Sequence, residues 1–117
     1  MQKPPIHKSF LNAFRGVLAM IKTERNFQIE ILASLLNLFL IFYLKLTSTD
    51  AALILMASAA VLSAEIFNTA IEKICDIIQP DFDERIGFIK DIAAGAVVLI
   101  AIASAVIGVL VYWKYVF

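Results

Sequence analysis

Glu65-Ile66-Phe67-Asn68-Thr69-Ala70-Ile71-Glu72-Lys73-Ile74-Cys75-Asp76 follows directly on an uncharged run, Ala51 to Ala64, with no glycine or proline between them. Glu65, Asn68, Glu72 and Asp76 are spaced i, i+3, i+7 and i+11. At ~100° per residue these four share an arc of roughly 80° on one helix face, with Thr69 and Lys73 at its edge. Carboxylates this close repel one another unless something positive lies between them, and burying even one in an apolar setting is costly. Hard divalent cations prefer oxygen ligands, so Mg²⁺ is the candidate partner. The plainer alternative is a helix leaving a membrane, its last turns wet and Lys73 neutralising Glu72 or Asp76. Glu65, nearest the apolar run, fits that alternative worst.

Composition sets the class. The chain has 117 residues, is 62% hydrophobic and has a mean hydropathy of +0.88. Ordinary soluble domains are about 45–50% apolar, so lipid is expected to solvate part of this one. Length implies a single domain over 1–117. A lone cysteine, Cys75, excludes an internal disulfide and is expected to pack as a small apolar group. The amino terminus lacks the pattern of a secretory signal.

Working outward, residues 1–25 carry Lys3, Lys8, Arg15, Lys22 and Arg25 against one acid, Glu24. After Pro4-Pro5, apolar Phe10, Ala13, Phe14, Val17, Leu18 and Ile21 recur at helical spacing. This predicts an amphipathic surface helix over about 6–25, basic on one side, lying on anionic lipid. His7 has no partner cluster and is expected to be an ordinary surface residue. Membrane helices are predicted over about 27–46, 51–78 and 92–115, each long enough to cross a bilayer. At six residues apart Glu24 and Glu30 would point to different faces of a single helix, which cannot close both on one ion; if both are functional, they serve different partners. The turn Leu46–Asp50 offers Ser48, Thr49 or Asp50 as a cap for the next helix, and Pro80 ends that helix. Tyr112-Trp113-Lys114-Tyr115 forms an aromatic and basic anchor.

Lysine and arginine are dense before residue 26 and recur as Lys73, Arg85 and Lys90, whereas the first connection has only Lys45 and the carboxyl end only Lys114. Positive-inside bias therefore puts the amino terminus and the 73–91 region in the cytoplasm, where ATP is. Three spans enclose little interior, so self-association is expected to shelter Glu65 and Asn68. The small residues between Ala93 and Gly108 allow close helix approach.

The absences narrow the chemistry. There is no phosphate loop and no glycine-rich nucleotide fingerprint, no zinc cluster and no Ser/His/Asp set. No nucleic-acid partner is expected. Phosphoryl transfer suits such a sparse kit, because it needs mainly positioning and charge neutralisation.

The run Glu65–Asp76, followed by Lys90-Asp91-Ile92-Ala93-Ala94-Gly95-Ala96-Val97, resembles the signature of the prokaryotic diacylglycerol kinase and undecaprenol kinase family. The likeness extends through Phe14-Arg15-Gly16 and Glu24-Arg25-Asn26-Phe27-Gln28-Ile29-Glu30 and covers nearly the whole chain. The resemblance implies an all-α homotrimer in the bacterial inner membrane, with three membrane helices and a surface helix per subunit. It implies active sites shared between subunits that use Mg-ATP to phosphorylate a membrane lipid alcohol. By that resemblance Glu24 and Glu72 hold the metal, Glu65 is the catalytic base, and Asn68 acts beside it at the reaction centre and lipid hydroxyl. Asp76, Lys90 and Asp91 match positions around nucleotide and phosphate, with Asp91 orienting Lys90. Glu30 matches a further acidic position in the nucleotide region, and Arg15 the amino-terminal basic one. Glu24-Arg25-Asn26-Phe27 looks more like the undecaprenol branch. Two other classes compete on residues alone: a small oligomeric transporter or channel, since intramembrane carboxylates often mark ion paths, and a non-catalytic assembly subunit.

Overall fold

A computed structural model describes residues 3–117. Among these, the chain forms four α-helices: α1 Ile6–Thr23, α2 Arg25–Tyr43, α3 Ser48–Ile78 and α4 Glu84–Val116. The last three are long and apolar enough to cross a membrane. α3 packs most extensively on α4 and next on α2, while α1 is joined mainly to α2.

One residue separates α1 from α2. Glu24 is extended (φ −107°, ψ 112°), its N–H donates to the Met20 carbonyl at 2.9 Å, and its carbonyl accepts from the Gln28 N–H at 3.0 Å. The Thr23 hydroxyl donates back to the Ala19 carbonyl at 2.7 Å, a bond that bends helices. The Gln28 side-chain amide donates to the Ile21 carbonyl at 2.8 Å, bracing the joint from the other side. Met20 and Phe27, either side of the break, are buried, Phe27 almost completely. The reading of Glu24 and Glu30 on one continuous helix is therefore corrected: the break frees Glu24 from the helical register that would have aimed it away from Glu30.

α2 ends with the Leu46 N–H donating to the Ile41 carbonyl (3.0 Å) and the Lys45 N–H to the Phe42 carbonyl (3.3 Å), with Lys45 left-handed at φ 55°. This is a Schellman cap carrying lysine where glycine is usual, and Leu46 packs against the cluster that contains Ile41, the kind of apolar contact that often accompanies the motif. A non-glycine residue in this conformation costs about 1 kcal/mol. Lys45→Gly is expected to stabilise the fold in detergent by about that amount, read from chemical or thermal unfolding. A destabilised variant would show that the lysine side chain itself contributes more than its backbone strain costs.

α3 starts at Ser48 with Thr47 as its cap, earlier than the predicted 51 and on none of the three expected cap residues: the Thr47 hydroxyl accepts from the Asp50 N–H at 3.2 Å. Asp50 is instead buried in a latch to the end of α4. Its carboxylate accepts from the Lys114 ammonium (3.0 Å to each oxygen) and the Tyr115 hydroxyl (2.7 Å), and the Thr47 N–H donates to that same hydroxyl at 3.0 Å. Beneath the latch Ile41, Ile54 and Val111 form the buried apolar cluster, flanked by Ile107 and Tyr112. The predicted aromatic and basic anchor at 112–115 thus also works inward.

α4 begins at Glu84, eight residues before the predicted 92, because Asp83 caps it. The Asp83 carboxylate accepts from the Arg85 N–H at 2.8 Å and the guanidinium at 3.2 and 2.9 Å. Arg85 holds this carboxyl down from 3.8 to about 2. Because the folded value lies below the unfolded one, the cap's contribution is complete above the ordinary carboxylate range and is lost as pH falls towards 2. At 31 and 33 residues, α3 and α4 exceed the ~20 residues that cross the hydrocarbon core. Most large apolar side chains point outward, among them Leu32, Phe39, Met56, Leu99 and Leu110. A soluble protein rarely presents such continuous apolar faces; they fit a lipid solvent.

Candidate active site

Glu65 lies on the face of α3 that is turned into the bundle and is 9% exposed. Glu30 of α2, Glu72 of α3 and Glu24 at the α1–α2 joint all lie close enough for their charges to act on it. Carboxylates from the joint, α2 and α3 thus act electrostatically on one buried member. Sequence spacing accounts for Glu65 and Glu72, which share a helix face. Glu24 arrives because the helix breaks at that residue, and Glu30 because α2 packs on α3.

Asn68, one turn on from Glu65, donates its side-chain amide to Glu72 Oε1 at 2.9 Å. Its Oδ1 is buried and has no hydrogen-bond partner among the described residues. Thr69 beside it is also buried. An orphaned acceptor is costly to bury, so this oxygen marks a place where a donor is missing.

The cations sit differently from expectation. Lys73 does not neutralise Glu72 or Asp76; its ammonium lies 3.9 Å from Glu24 Oε1, tying α3 to the joint. Lys90 of α4 is held by Asp76 of α3 at 2.6 Å, not by Asp91, which is exposed. The Asp76–Lys90 pair fixes the α3 and α4 ends to each other, and both side chains retain exposed surface. Arg15 is exposed on α1 and lines a small cleft with Lys8, Leu11 and Asn12. It contacts none of the acids among the described residues, so the chain folded alone does not bring this predicted nucleotide contact to the others. Lys73 as a partner of Glu24, and Gln28 as the brace beneath it, have no sequence signal, since both depend on where α1 breaks.

Between α1 and α3 runs an apolar groove of about 520 Å³, lined by Gly16, Val17 and Met20 on one side and Ile66 and Ala70 on the other, with Thr23, Glu24, Thr69 and Lys73 as its polar residues. Among the described residues no three His, Cys, Asp or Glu side chains are grouped as a protein-only metal cage. Mg²⁺ needs no such cage: it is usually held by one or two carboxylates together with substrate phosphates and water. Glu72 and Glu24, with the orphaned Asn68 oxygen beside Glu72, fit that requirement.

The model for prokaryotic diacylglycerol kinase matches residues 11–112. The undecaprenol kinase of Bacillus subtilis is 36% identical over 105 residues, covering 90% of this chain and 85% of that protein. The diacylglycerol kinase of Synechocystis is 33% identical over 106 residues, 90% of this chain but 61% of that longer protein. The Escherichia coli K12 diacylglycerol kinase is 26% identical over 103 residues, 88% and 84% of the two chains. The matched span holds every acid and lysine of the site just described, and the chain belongs to the prokaryotic diacylglycerol kinase family.

Proposed function

We propose that this chain is a lipid kinase, transferring the γ-phosphoryl group of ATP, as its Mg²⁺ complex, to the hydroxyl of a membrane lipid alcohol. What supports the reading is the α3 face on which buried Glu65 is followed by Asn68 and Glu72, the last two hydrogen-bonded at 2.9 Å, with Lys73 and Lys90 at the same end. Glu65 accepts the proton of the lipid hydroxyl as the hydroxyl oxygen attacks the γ-phosphorus, the bond from that phosphorus to the bridging oxygen breaks and ADP leaves. Asn68, its amide already anchored by Glu72, has a second N–H to orient that hydroxyl. Glu24 and Glu72 hold Mg²⁺, which when bound neutralises phosphate charge and aligns the γ-phosphoryl group. Lys90, positioned by Asp76, is the cation for phosphate oxygens; Glu30, Asp91 and Arg15 complete the nucleotide region. The groove between α1 and α3 suits the hydrocarbon next to a hydroxyl that reacts at headgroup level.

The setting follows from charge. The excess of lysine and arginine before residue 26 and around the α3–α4 connection supports an orientation with both on the cytoplasmic side of the bacterial inner membrane. α1, with Phe10, Phe14 and Leu18 exposed beside Lys8, Arg15 and Lys22, lies amphipathically on that surface. A homotrimer with shared sites would bring the outlying Arg15 to a neighbour's nucleotide. Undecaprenol is placed before diacylglycerol as the substrate, on the Glu24–Phe27 run and the 36% identity to a named undecaprenol kinase. A transporter would need unpaired polar groups reachable from both sides, whereas Glu24, Glu65 and Glu72 lie at one end. At the other end the sole buried acid among the described residues, Asp50, is tied to Lys114 and Tyr115 over the Ile41–Ile54–Val111 cluster.

The deciding assay gives purified protein Mg-ATP with undecaprenol and diacylglycerol side by side. Phosphorylation of either lipid supports the kinase reading, and faster turnover of undecaprenol supports the branch. Transfer to neither overturns both.

A further inference from the structure

Deeper in the bundle lies a second polar feature that the phosphotransfer reaction leaves unused. A cavity of about 90 Å³ sits where α2, α3 and α4 meet, bordered by Glu30, Asn37, Ser58, Ser104, Gly108 and Tyr112. The Tyr112 hydroxyl donates to Asn37 Oδ1 at 2.8 Å, and the Asn37 amide donates to the Ser58 hydroxyl at a long 3.4 Å. Ser104 donates to the Ala57 carbonyl at 3.3 Å, and Ser34, which also lines the cavity, donates to the Glu30 carbonyl at 2.8 Å.

These bonds leave hydrogen-bonding capacity over. The Ser58 proton and the second Asn37 N–H have no acceptor among the described residues, and the oxygens of Tyr112, Ser34 and Ser104 can each accept again. The Glu30 carboxylate makes no hydrogen bond or ion pair among the described residues. Lipid tails cannot satisfy such groups, and an unmet polar group in hydrocarbon is expensive. The volume is well above the ~10–15 Å³ that one water needs, and the donors and acceptors supply the two to four contacts that such a water makes.

We propose that this cavity is an internal hydration site, and that its water positions Glu30. Asn37, Ser58 and Tyr112 anchor the water at the inner end and Glu30 binds it at the other. Val61 also lines the cavity, one turn before Glu65, so the water lies beside the segment that carries the buried carboxylate. Because Glu30 acts on Glu65, fixing the Glu30 carboxylate fixes one of the charges that Glu65 experiences. Asn37, Ser58 and Tyr112 are thus positioning residues, acting through water. The Ile41–Ile54–Val111 cluster, with Tyr112 packed on it, separates the chamber from the Asp50 latch.

The catalytic part of this proposal rests on Glu65 being the base; the hydration does not, so the two are tested separately. In nanodiscs, the wild-type protein should show an NMR cross-relaxation peak between water and the Asn37 side-chain amide. A Cβ at Gly108 would meet nothing within 4 Å, which makes Gly108→Val and Gly108→Thr a near-isosteric pair that fill the chamber with or without a hydroxyl. The valine variant should lose the water peak and about tenfold in turnover with KM for ATP unchanged. The threonine variant should recover most of that turnover. Absence of the peak in wild type, or equal turnover in the two variants, overturns the proposal. Should neither variant assemble, Tyr112→Phe decides, since it removes one hydroxyl and adds nothing. It should weaken the water peak and lower turnover at constant KM for ATP, and wild-type turnover would overturn the positioning role. A persistent water peak alongside an active Glu65→Gln enzyme would remove the base assignment and leave the hydration site standing.

Discussion

Glu65→Gln is expected to lower turnover by ~10²–10⁴-fold, the usual range for loss of a positioned general base. The substitution keeps shape and burial but cannot take the proton from the lipid hydroxyl. It also removes a buried carboxylate on which three like charges act, so the variant should fold at least as stably as wild type. A collapse in activity with unchanged or raised thermal stability is therefore the signature of a base, whereas a structural residue would lose both. Retention of more than roughly a third of wild-type turnover, well outside that range, would remove Glu65 from the role. The same variant tests assembly. If sites are shared between subunits, mixing Glu65→Gln with Glu24→Gln protein should restore part of the activity, because some mixed sites then combine the intact side chain of each.

The second large effect is expected in metal dependence. Without a phosphate loop the chain has few donors for three phosphates, so Mg²⁺ must carry most of the neutralisation. Loss of groups that merely orient a metal ligand typically costs 10–100-fold in metal affinity, and loss of a ligand should cost no less. Glu24→Gln and Glu72→Gln should each raise the Mg²⁺ needed for half-maximal ATP binding by at least tenfold, while Glu65→Gln leaves it near wild type. Calorimetric titration of ATP with and without chelator measures this directly. Glu72→Gln has a second consequence, since it replaces the carboxylate that anchors Asn68 at 2.9 Å; it should therefore depress turnover at saturating Mg-ATP as well. Glu24→Gln lacks that effect but weakens the tie to Lys73. ATP binding that is equally tight without any divalent ion would refute the metal assignment.

The helical, membrane-spanning class was legible in the chain because it depends on local quantities. A chain of 117 residues that is 62% hydrophobic holds more apolar surface than a domain of that size can bury, so hydrocarbon solvates its long apolar segments, and a helix is the only way for a single segment to satisfy its backbone there. The shared face of Glu65, Asn68, Glu72 and Asp76 was legible for the same reason, since helical spacing fixes direction. Boundaries were less so. Thr47 and Asp83 move two helix starts outward because a cap is decided by one side-chain hydrogen bond that apolar periodicity does not register.

What sequence alone determined, then, is which side chains share a helix face and which segments must lie in lipid, since both follow from the 3.6-residue repeat and local polarity. Tertiary structure decided the partners. Lys73 reaches Glu24 rather than its neighbours on α3, Lys90 takes Asp76 rather than Asp91, and Glu30 joins the Glu65 group while bordering a polar chamber. Each of those choices depends on a one-residue break at Glu24 or on how α2 and α4 pack on α3. Contacts between segments far apart in the chain are set by the packing of whole helices, for which a run of residues carries no periodic signal.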